Sequence, residues 1–196
     1  MHRGITSPIS PSATWIVAPA WLRSAGVVFA GSLLLAICAH VSVPLGFTPV
    51  PLSLQPFGVL LLGLLLSPRM AVATLVAYLA EGAARLPVFA PSPIGGVAHL
   101  LGPTGGYLIA YPVAAGLISF LWRRRGRGFS MALFSAALGD LLILASGAAW
   151  LAVGTHAVKW SEISAGVLTF MPGDALKVAV AAGIAAGWQR ARRQHQ

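Results

Sequence analysis

The sequence predicts an all-helical integral membrane protein with six membrane-spanning helices and both termini in the cytoplasm. Three observations lead to this prediction. Hydrophobic residues make up 57% of the 196 residues and charged residues only 9%, whereas a soluble domain carries about 25% charged residues. Long apolar segments alternate with short segments that are polar or rich in glycine and proline. The basic residues gather between alternate apolar segments, as expected for loops on the cytoplasmic face.

Six apolar segments follow one another along the chain. A helix that crosses a bilayer needs about 20 residues, with a range of about 17–25, so the second and third segments are short for spans. Hydropathy alone therefore leaves four, five or six spans open. The segments are residues 24–41, 52–66, 70–84, 106–122, 129–153 and 169–188.

The placement of positive charge favours six spans. Six spans bring the N-terminal segment, the Arg69 loop, the loop at residues 123–127 and the C-terminal tail to one side. Lys and Arg favour cytoplasmic loops, so this side is predicted to be cytoplasmic. It holds Arg3, Arg23, Arg69, Arg123, Arg124, Arg125, Arg127, Arg190, Arg192 and Arg193, whereas Arg85 and Lys159 lie opposite and Lys177 lies within a segment.

The net charge of +9 has a second possible explanation, binding to nucleic acid. The basic residues lie at segment ends, where insertion rules and anionic lipid headgroups place them. We therefore predict contact with membrane lipid and no nucleic-acid partner.

The predicted domain organisation is simple. Residues 1–22 form a partly disordered leader, residues 23–190 a six-helix transmembrane domain, and residues 191–196 a basic cytoplasmic tail. The two loops predicted to be outside, at residues 43–51 and 85–106, are rich in proline and glycine. Irregular backbone near a membrane is tolerated where it lines a cavity. We expect either an outer pocket with a lid or plain connecting loops.

The first apolar segment carries small residues at four-residue spacing, Gly26 with Ala30 and Ser32 with Ala36. This spacing lets helix backbones approach closely. It fits packing inside the six-helix domain or a surface for a partner.

The chain has four carboxylates, Glu81, Asp140, Glu162 and Asp174. A charged group in the middle of a bilayer costs about 2.5–3.5 kcal/mol on insertion scales, so intramembrane acids face the protein interior. Asp174 and Lys177 are three residues apart and share one helical face. They form either an ion pair at a helix start, where the dipole favours the acid, or a polar clamp for a ligand.

No sequence motif indicates catalysis. Gly-x-Ser-x-Gly, His-Glu-x-x-His and the P-loop are absent from the sequence, so we predict no catalytic residue, metal or cofactor. ATP-driven work would have to come from another chain. Two rival hypotheses remain: a membrane enzyme acting on a lipid or small acid with Asp140 or Glu81 as its base, and a non-catalytic scaffold.

Six motifs follow one another along the chain: Thr-Pro-Val-Pro at 48–51, Leu-Gln-Pro-Phe-Gly-Val-Leu at 54–60, Gly-Leu-Leu-Leu-Ser-Pro-Arg at 63–69, Leu-Pro-Val-Phe-Ala at 86–90, Leu-Gly-Pro-Thr-Gly-Gly-Tyr at 101–107 and Met-Pro-Gly-Asp at 171–174. In this order and together with Lys177, they resemble the BioY family, the biotin-specific substrate-binding subunits (S components) of energy-coupling-factor (ECF) transporters. The resemblance runs from the first apolar segment to Lys177, with Asp140 standing where a neutral polar residue is usual.

The resemblance implies a fold, an activity and partners. It implies six membrane helices in the bacterial cytoplasmic membrane, high-affinity capture of biotin at the outer face, and a proline-rich lid. It also implies docking of the small-residue face of the first helix on a transmembrane coupling subunit driven by two ATPases. Function alone or by self-association is the alternative.

The resemblance also implies roles in binding. Asp174 would accept from the ureido N–H groups of biotin, and Lys177 would donate to the ureido carbonyl. Phe47, Phe57, Phe89 and Tyr107 would wall the sulfur-containing ring. The valerate carboxylate would meet the N-terminus of the fourth helix at Thr104 and Gly105, or Arg85, and Gln55 would bond either end.

Overall fold

The computed structural model describes residues 19–154 and 160–194, so the leader up to residue 18 and Lys159 lie outside the described residues. The described chain forms seven helices and a two-stranded hairpin. In chain order these are α1 (Ala20–His40), β1 (Ser42–Val43), β2 (Leu52–Ser53), α2 (Gln55–Leu65), α3 (Pro68–Ala83), α4 (Val97–Leu100), α5 (Gly105–Arg124), α6 (Phe129–Gly154) and α7 (Trp160–Gln194).

The helical membrane fold predicted from the sequence is confirmed. Among the described residues, four helices are long and apolar enough to cross a membrane: α1, α5, α6 and the part of α7 from Leu168 to Gln194. Each predicted segment coincides with one helix, and α4 is an additional short helix in the loop at residues 85–106. α1 begins before the predicted start of the membrane domain at residue 23, and α7 continues into the predicted tail.

The short helix α2 lies at the centre of the bundle. Its 11 residues span about 16 Å, well short of the roughly 30 Å hydrocarbon layer. α2 packs against α1, α3, α5, α6 and α7, and every residue from Gly58 to Leu64 is buried. Protein therefore surrounds Gln55 and the central turns of α2, and a short helix is tolerated at membrane depth where protein packs around it.

The proline-rich loop is closed at its base by the hairpin. β1 and β2 pair antiparallel, with Ser42 opposite Ser53 and Val43 opposite Leu52. The intervening residues 44–51 contain Pro44, Pro49 and Pro51, which restrict the backbone and remove N–H donors. The hairpin returns the chain from the end of α1 to the start of α2.

Small residues let α7 pack closely into the core. Ala181, Ala182 and Ala185 are fully buried and join one apolar cluster with Leu60 and Trp122. Alanine has little side chain to separate two helices. This packing fixes the position of the preceding turns of α7 relative to α2 and α6.

Arg123 connects the ends of α2 and α5. Its Nε donates to the carbonyl of Leu66 at 3.3 Å and to Ser119 Oγ at 3.3 Å, while the Ser119 hydroxyl donates to the same carbonyl at 2.6 Å. A cation here complements the negative end of α2 and satisfies carbonyls that the helix leaves unpaired. α2 and α5 therefore run parallel, and both begin at the end of the bundle opposite the arginines.

Candidate functional site

A cavity of about 580 Å³ opens at the end of the bundle where α2 and α5 begin. This volume includes space that is open to solvent. Its walls come from residues 50–53 and from α2, α5, α6 and α7, and its apolar lining includes Val50, Leu108 and Phe170. The polar side chains along it are Ser53, Gln55, His99, Thr104, Tyr107, Tyr111, Asp140, Asp174 and Lys177.

Asp174 and Lys177 meet in the wall of this cavity. Lys177 Nζ donates to Asp174 Oδ1 at 2.8 Å, and both residues are buried. The prediction that they share one face of a helix is confirmed. The expectation of a helix start is wrong, because α7 begins at Trp160 and Asp174 lies well inside it. The positive end of the dipole acts only within the first turn, so it does not account for Asp174.

Asp140 contributes a second carboxylate to the same cavity from α6. Its side chain is buried, and Oδ1 has no hydrogen-bond partner among the described residues. Glu81, the other acid considered as a catalytic base, accepts a hydrogen bond from the Ser32 hydroxyl and is not part of this lining. The Glu162 side chain lies outside what the structure describes.

Gln55 is held at the first turn of α2 by Tyr78. Its Nε2 donates to the Tyr78 hydroxyl at 2.7 Å, and that hydroxyl donates to the Val88 carbonyl at 2.8 Å. One amide N–H is thereby engaged, and Gln55 keeps its second N–H donor and its amide oxygen acceptor for a ligand.

Aromatic side chains form two layers around the cavity. Tyr107 and Tyr111 are four residues apart on α5, so both face the cavity directly. Phe89 lies behind this lining. Its ring meets Tyr78 edge-on with centroids 5.4 Å apart and stacks on His99 at 4.9 Å.

Five of the nine predicted binding residues line the cavity and four do not. The five are Gln55, Thr104, Tyr107, Asp174 and Lys177. Phe57 instead packs against the cluster that contains Leu60 and Ala181, because its side of α2 faces α7. Phe89 packs on Tyr78 and His99 as described above. Phe47, named as a further ring wall, is half exposed.

The remaining two residues are displaced for different reasons. Arg85 is exposed and adopts a positive φ of 67°, in the turn that ends α3. Gly105 begins α5, and a Cβ there would collide with the Leu100 carbonyl oxygen. Its N–H donates to the Gly102 carbonyl at 3.0 Å, so this N–H is already used. Only the glycine fits, which indicates a packing role.

Sequence reasoning missed Tyr111 and His99. Tyr111 follows Tyr107 by one helical turn, and that spacing was a usable signal. His99 lies on α4, where its Nδ1 is 3.0 Å from the Ile94 carbonyl oxygen, and nothing in the sequence indicated that the loop would fold inward.

A second space of about 700 Å³ lies between the proline-rich loop and the loop at residues 90–104. Pro51, Ala90, His99 and Thr104 line both this space and the cavity. The two loops that the sequence singled out therefore stand over the entrance of the cavity.

Comparison with known proteins gives concordant results. A model of the BioY family matches residues 10–194. The chain is 40% identical over 154 residues to the probable biotin transporter BioY of Pyrococcus horikoshii, covering 78% of this chain and 87% of that protein. It is 37% identical over 152 residues to the biotin transporter BioY of Thermotoga maritima, with coverages of 78% and 87%.

A solved structure has the same fold. The crystal structure of the S-component for biotin from an ECF-type ABC transporter superposes with a TM-score of 0.79 at 26% identity, covering 89% of this chain and 95% of that chain. Since the family model spans nearly the whole sequence, the chain belongs to the BioY family.

Proposed function

We propose that this chain captures biotin with high affinity and serves as the substrate-specific subunit of a biotin uptake system. The observation that supports this most strongly is the buried Asp174–Lys177 pair in the wall of the cavity. Within a BioY-family fold, that pair supplies an acceptor and a donor side by side.

The ureido ring of biotin is recognised by this pair. Asp174 accepts from one ureido N–H, and Lys177 donates to the adjacent carbonyl; such charge-assisted bonds are about twice as strong as neutral ones. Tyr107 and Tyr111 pack on the bicyclic ring. The valerate chain points towards the entrance, where Thr104 and Gln55 stand. The Thr104 hydroxyl and the second amide N–H of Gln55 can each donate a hydrogen bond to the carboxylate.

The other predicted binding residues act without touching biotin. Phe89 supports Tyr78 and His99, and Gly105 permits the close approach of Leu100. Phe57 fixes α2 against α7. Arg85, exposed at the outer end of α3, attracts the anionic substrate to the entrance.

We further propose six membrane-spanning helices in the cytoplasmic membrane, with both termini in the cytoplasm. The arginine-rich end of α5 and the basic end of α7 support this orientation through the preference of Lys and Arg for cytoplasmic loops. The cavity then opens outwards, where biotin arrives.

The proposed partner is an ECF module, made of a transmembrane coupling subunit and two ATPases. α1 offers a surface for it. Gly26 and Ala30 are exposed, with nothing within 4 Å of a Cβ built on Gly26, whereas Ser32 is buried and bonds Glu81. The first small-residue pair is thus open for docking and the second is used internally. Self-association through the same face is the alternative.

The decisive experiment is equilibrium binding of biotin to the purified, detergent-solubilised protein by calorimetry. Wild type should bind one biotin per chain, and Asp174→Asn should lose more than about tenfold in affinity, or about 1.4 kcal/mol. Arg124→Ala is the control, because Arg124 is exposed at the opposite end of the bundle. Folded wild type without affinity for biotin would refute the proposed function.

A further inference from the structure

Asp140 is the unexplained charged group of the cavity. It is 6% exposed, it lines the cavity from α6, and its Oδ1 has no hydrogen-bond partner among the described residues. The other two charged side chains of the cavity neutralise each other in the Asp174–Lys177 pair. Asp140 therefore leaves the ligand-free cavity with one acidic group in excess.

A buried acceptor without a donor is costly. Leaving a buried polar group unsatisfied costs about 1–3 kcal/mol, and more for a charged group. Ligand-binding sites retain such groups because a ligand can supply the missing partner, which turns the cost into selectivity. The question is which donor of the proposed ligand reaches Asp140.

The ureido group of biotin has two N–H donors, one on each side of its carbonyl, and they point away from each other. A carboxylate beside one N–H cannot also reach the other. The Asp174–Lys177 pair matches one N–H and the neighbouring carbonyl, since its acceptor and donor are themselves adjacent. The second N–H needs an acceptor of its own.

We propose that Asp140 is that second acceptor and a specificity-determining residue of the site. This inference rests on the proposed function. Asp174 on α7 accepts one ureido N–H, Lys177 donates to the carbonyl, and Asp140 on α6 accepts the other N–H. The protein then offers the cyclic urea two acceptors, on Asp174 and Asp140, and one donor, on Lys177. A ligand that lacks either N–H leaves one buried carboxylate unpaired.

This arrangement explains the use of two helices. α6 and α7 pack against each other, so a bound ligand connects Asp140 of α6 to the Asp174–Lys177 pair of α7. It also predicts opposite effects of Asp140 on the empty and the loaded protein. Replacing Asp140 by Asn removes an acidic group that lacks a partner in the empty protein, and it weakens a charge-assisted bond in the complex.

The test combines protein variants with ligand variants, as in a double-mutant cycle. Biotin and its two N-methyl derivatives, each methylated on a different ureido nitrogen, are titrated into wild type, Asp140→Asn and Asp140→Ala by calorimetry. We expect Asp140→Ala to bind biotin at least about tenfold more weakly than wild type, and Asp140→Asn to lose less, since its amide keeps an oxygen acceptor.

The methylated isomers identify the contact. In one isomer the methyl group replaces the N–H that faces Asp140. This isomer should bind to the Asp140→Ala variant at least as tightly as it binds to wild type, because the shorter side chain makes room for the methyl group. The other isomer should bind both proteins weakly, since its methyl group faces Asp174. Thermal midpoints without ligand should be equal or higher in the Asp140→Asn variant, which also verifies folding.

Three results would distinguish failure of the proposed function from failure of the inference about Asp140. Folded wild type that binds no biotin would refute the proposed function and this inference with it. Tight biotin binding by wild type and equally by both Asp140 variants would overturn the inference alone. Biotin affinity that depends on sodium, and loses that dependence in Asp140→Asn, would also overturn it by making Asp140 a cation ligand.

Discussion

The buried ion pair is the residue-scale feature on which the site depends. Asp174 and Lys177 are each almost fully shielded from solvent and bond at 2.8 Å. Removing one partner of such a pair leaves an uncompensated buried charge, whereas replacing both removes the problem. The pair therefore couples binding to stability, and the two contributions can be separated by mutation.

We predict that Lys177→Met destabilises the ligand-free protein by about 3–5 kcal/mol, because it strands the Asp174 carboxylate beside a second carboxylate at Asp140. The double variant Asp174→Asn/Lys177→Met should recover most of this stability while remaining unable to bind biotin tightly. Thermal unfolding in detergent measures the stability, and calorimetric titration with biotin measures the affinity.

The control is Arg125→Ala, which removes an exposed cation and should change stability by less than about 0.5 kcal/mol. If Lys177→Met were as stable as Arg125→Ala, the pair would not be the charge-neutralising unit described here.

At the residue scale, the sequence predicts which side chains are polar or charged better than it predicts which side chains face the cavity. Spacing alone placed Asp174 and Lys177 on one helical face, and the structure confirms it. Composition also identified Asp140 as an intramembrane acid, yet no pattern showed that it would face the same cavity. The misplacement of Phe57 has a similar cause: it follows Pro56 at the start of α2, and which side of a fully buried helix faces the ligand depends on tertiary packing.

Between elements, glycines set the distance between α5 and α6. A Cβ on Gly147 of α6 would overlap the Tyr107 ring of α5, and a Cβ on Gly106 of α5 would overlap Trp150 of α6. Each helix thus accommodates a large aromatic side chain of the other at a glycine. Tyr107 is held in the cavity wall by this contact.

We predict that Gly147→Ala lowers both the thermal midpoint and the affinity for biotin. Overpacking a tight contact typically costs about 1–3 kcal/mol, and the displaced ring belongs to Tyr107. Gly183→Ala on α7 is the matched control, since nothing lies within 4 Å of its Cβ and alanine favours helix by about 1 kcal/mol. Equal behaviour of the two variants would contradict the close α5–α6 contact.

The elements themselves were predictable to different degrees. Hydropathy located every long helix and the short α2, but it placed the start of α7 too late. α2 needs only its protein neighbours to satisfy its ends, so its length does not follow the bilayer. α7 begins at Trp160, ahead of the predicted segment at residues 169–188, and continues through Pro172, a residue that usually breaks a helix interior. α4 is too short to leave a periodic signal.

On the scale of the whole molecule, charge and cavity occupy opposite ends. Arg123, Arg124 and Arg125 close α5 at one end, and Thr104 begins it beside the cavity at the other. The 20 residues of α5 span about 30 Å, the thickness of the hydrocarbon layer. The same helix therefore separates the arginine-rich end of the bundle from the cavity entrance.

We predict that the cavity end faces outwards, and thiol labelling tests this directly. Cys38 is the single cysteine of the chain and is buried, so a Cys38→Ala background offers no competing thiol. In that background, Ser92→Cys places a thiol on the exposed loop beside the cavity entrance, and Arg125→Cys places one on the exposed arginine loop.

A membrane-impermeant maleimide added to intact cells should label the Ser92→Cys variant and spare the Arg125→Cys variant until the membrane is permeabilised. The physical reason is the arginine-rich loop, which positive-inside insertion retains in the cytoplasm. Biotin should protect neither position, since both lie outside the cavity lining. The reverse labelling pattern would invert the topology and require biotin to enter from the cytoplasm, which is incompatible with a capture subunit for uptake.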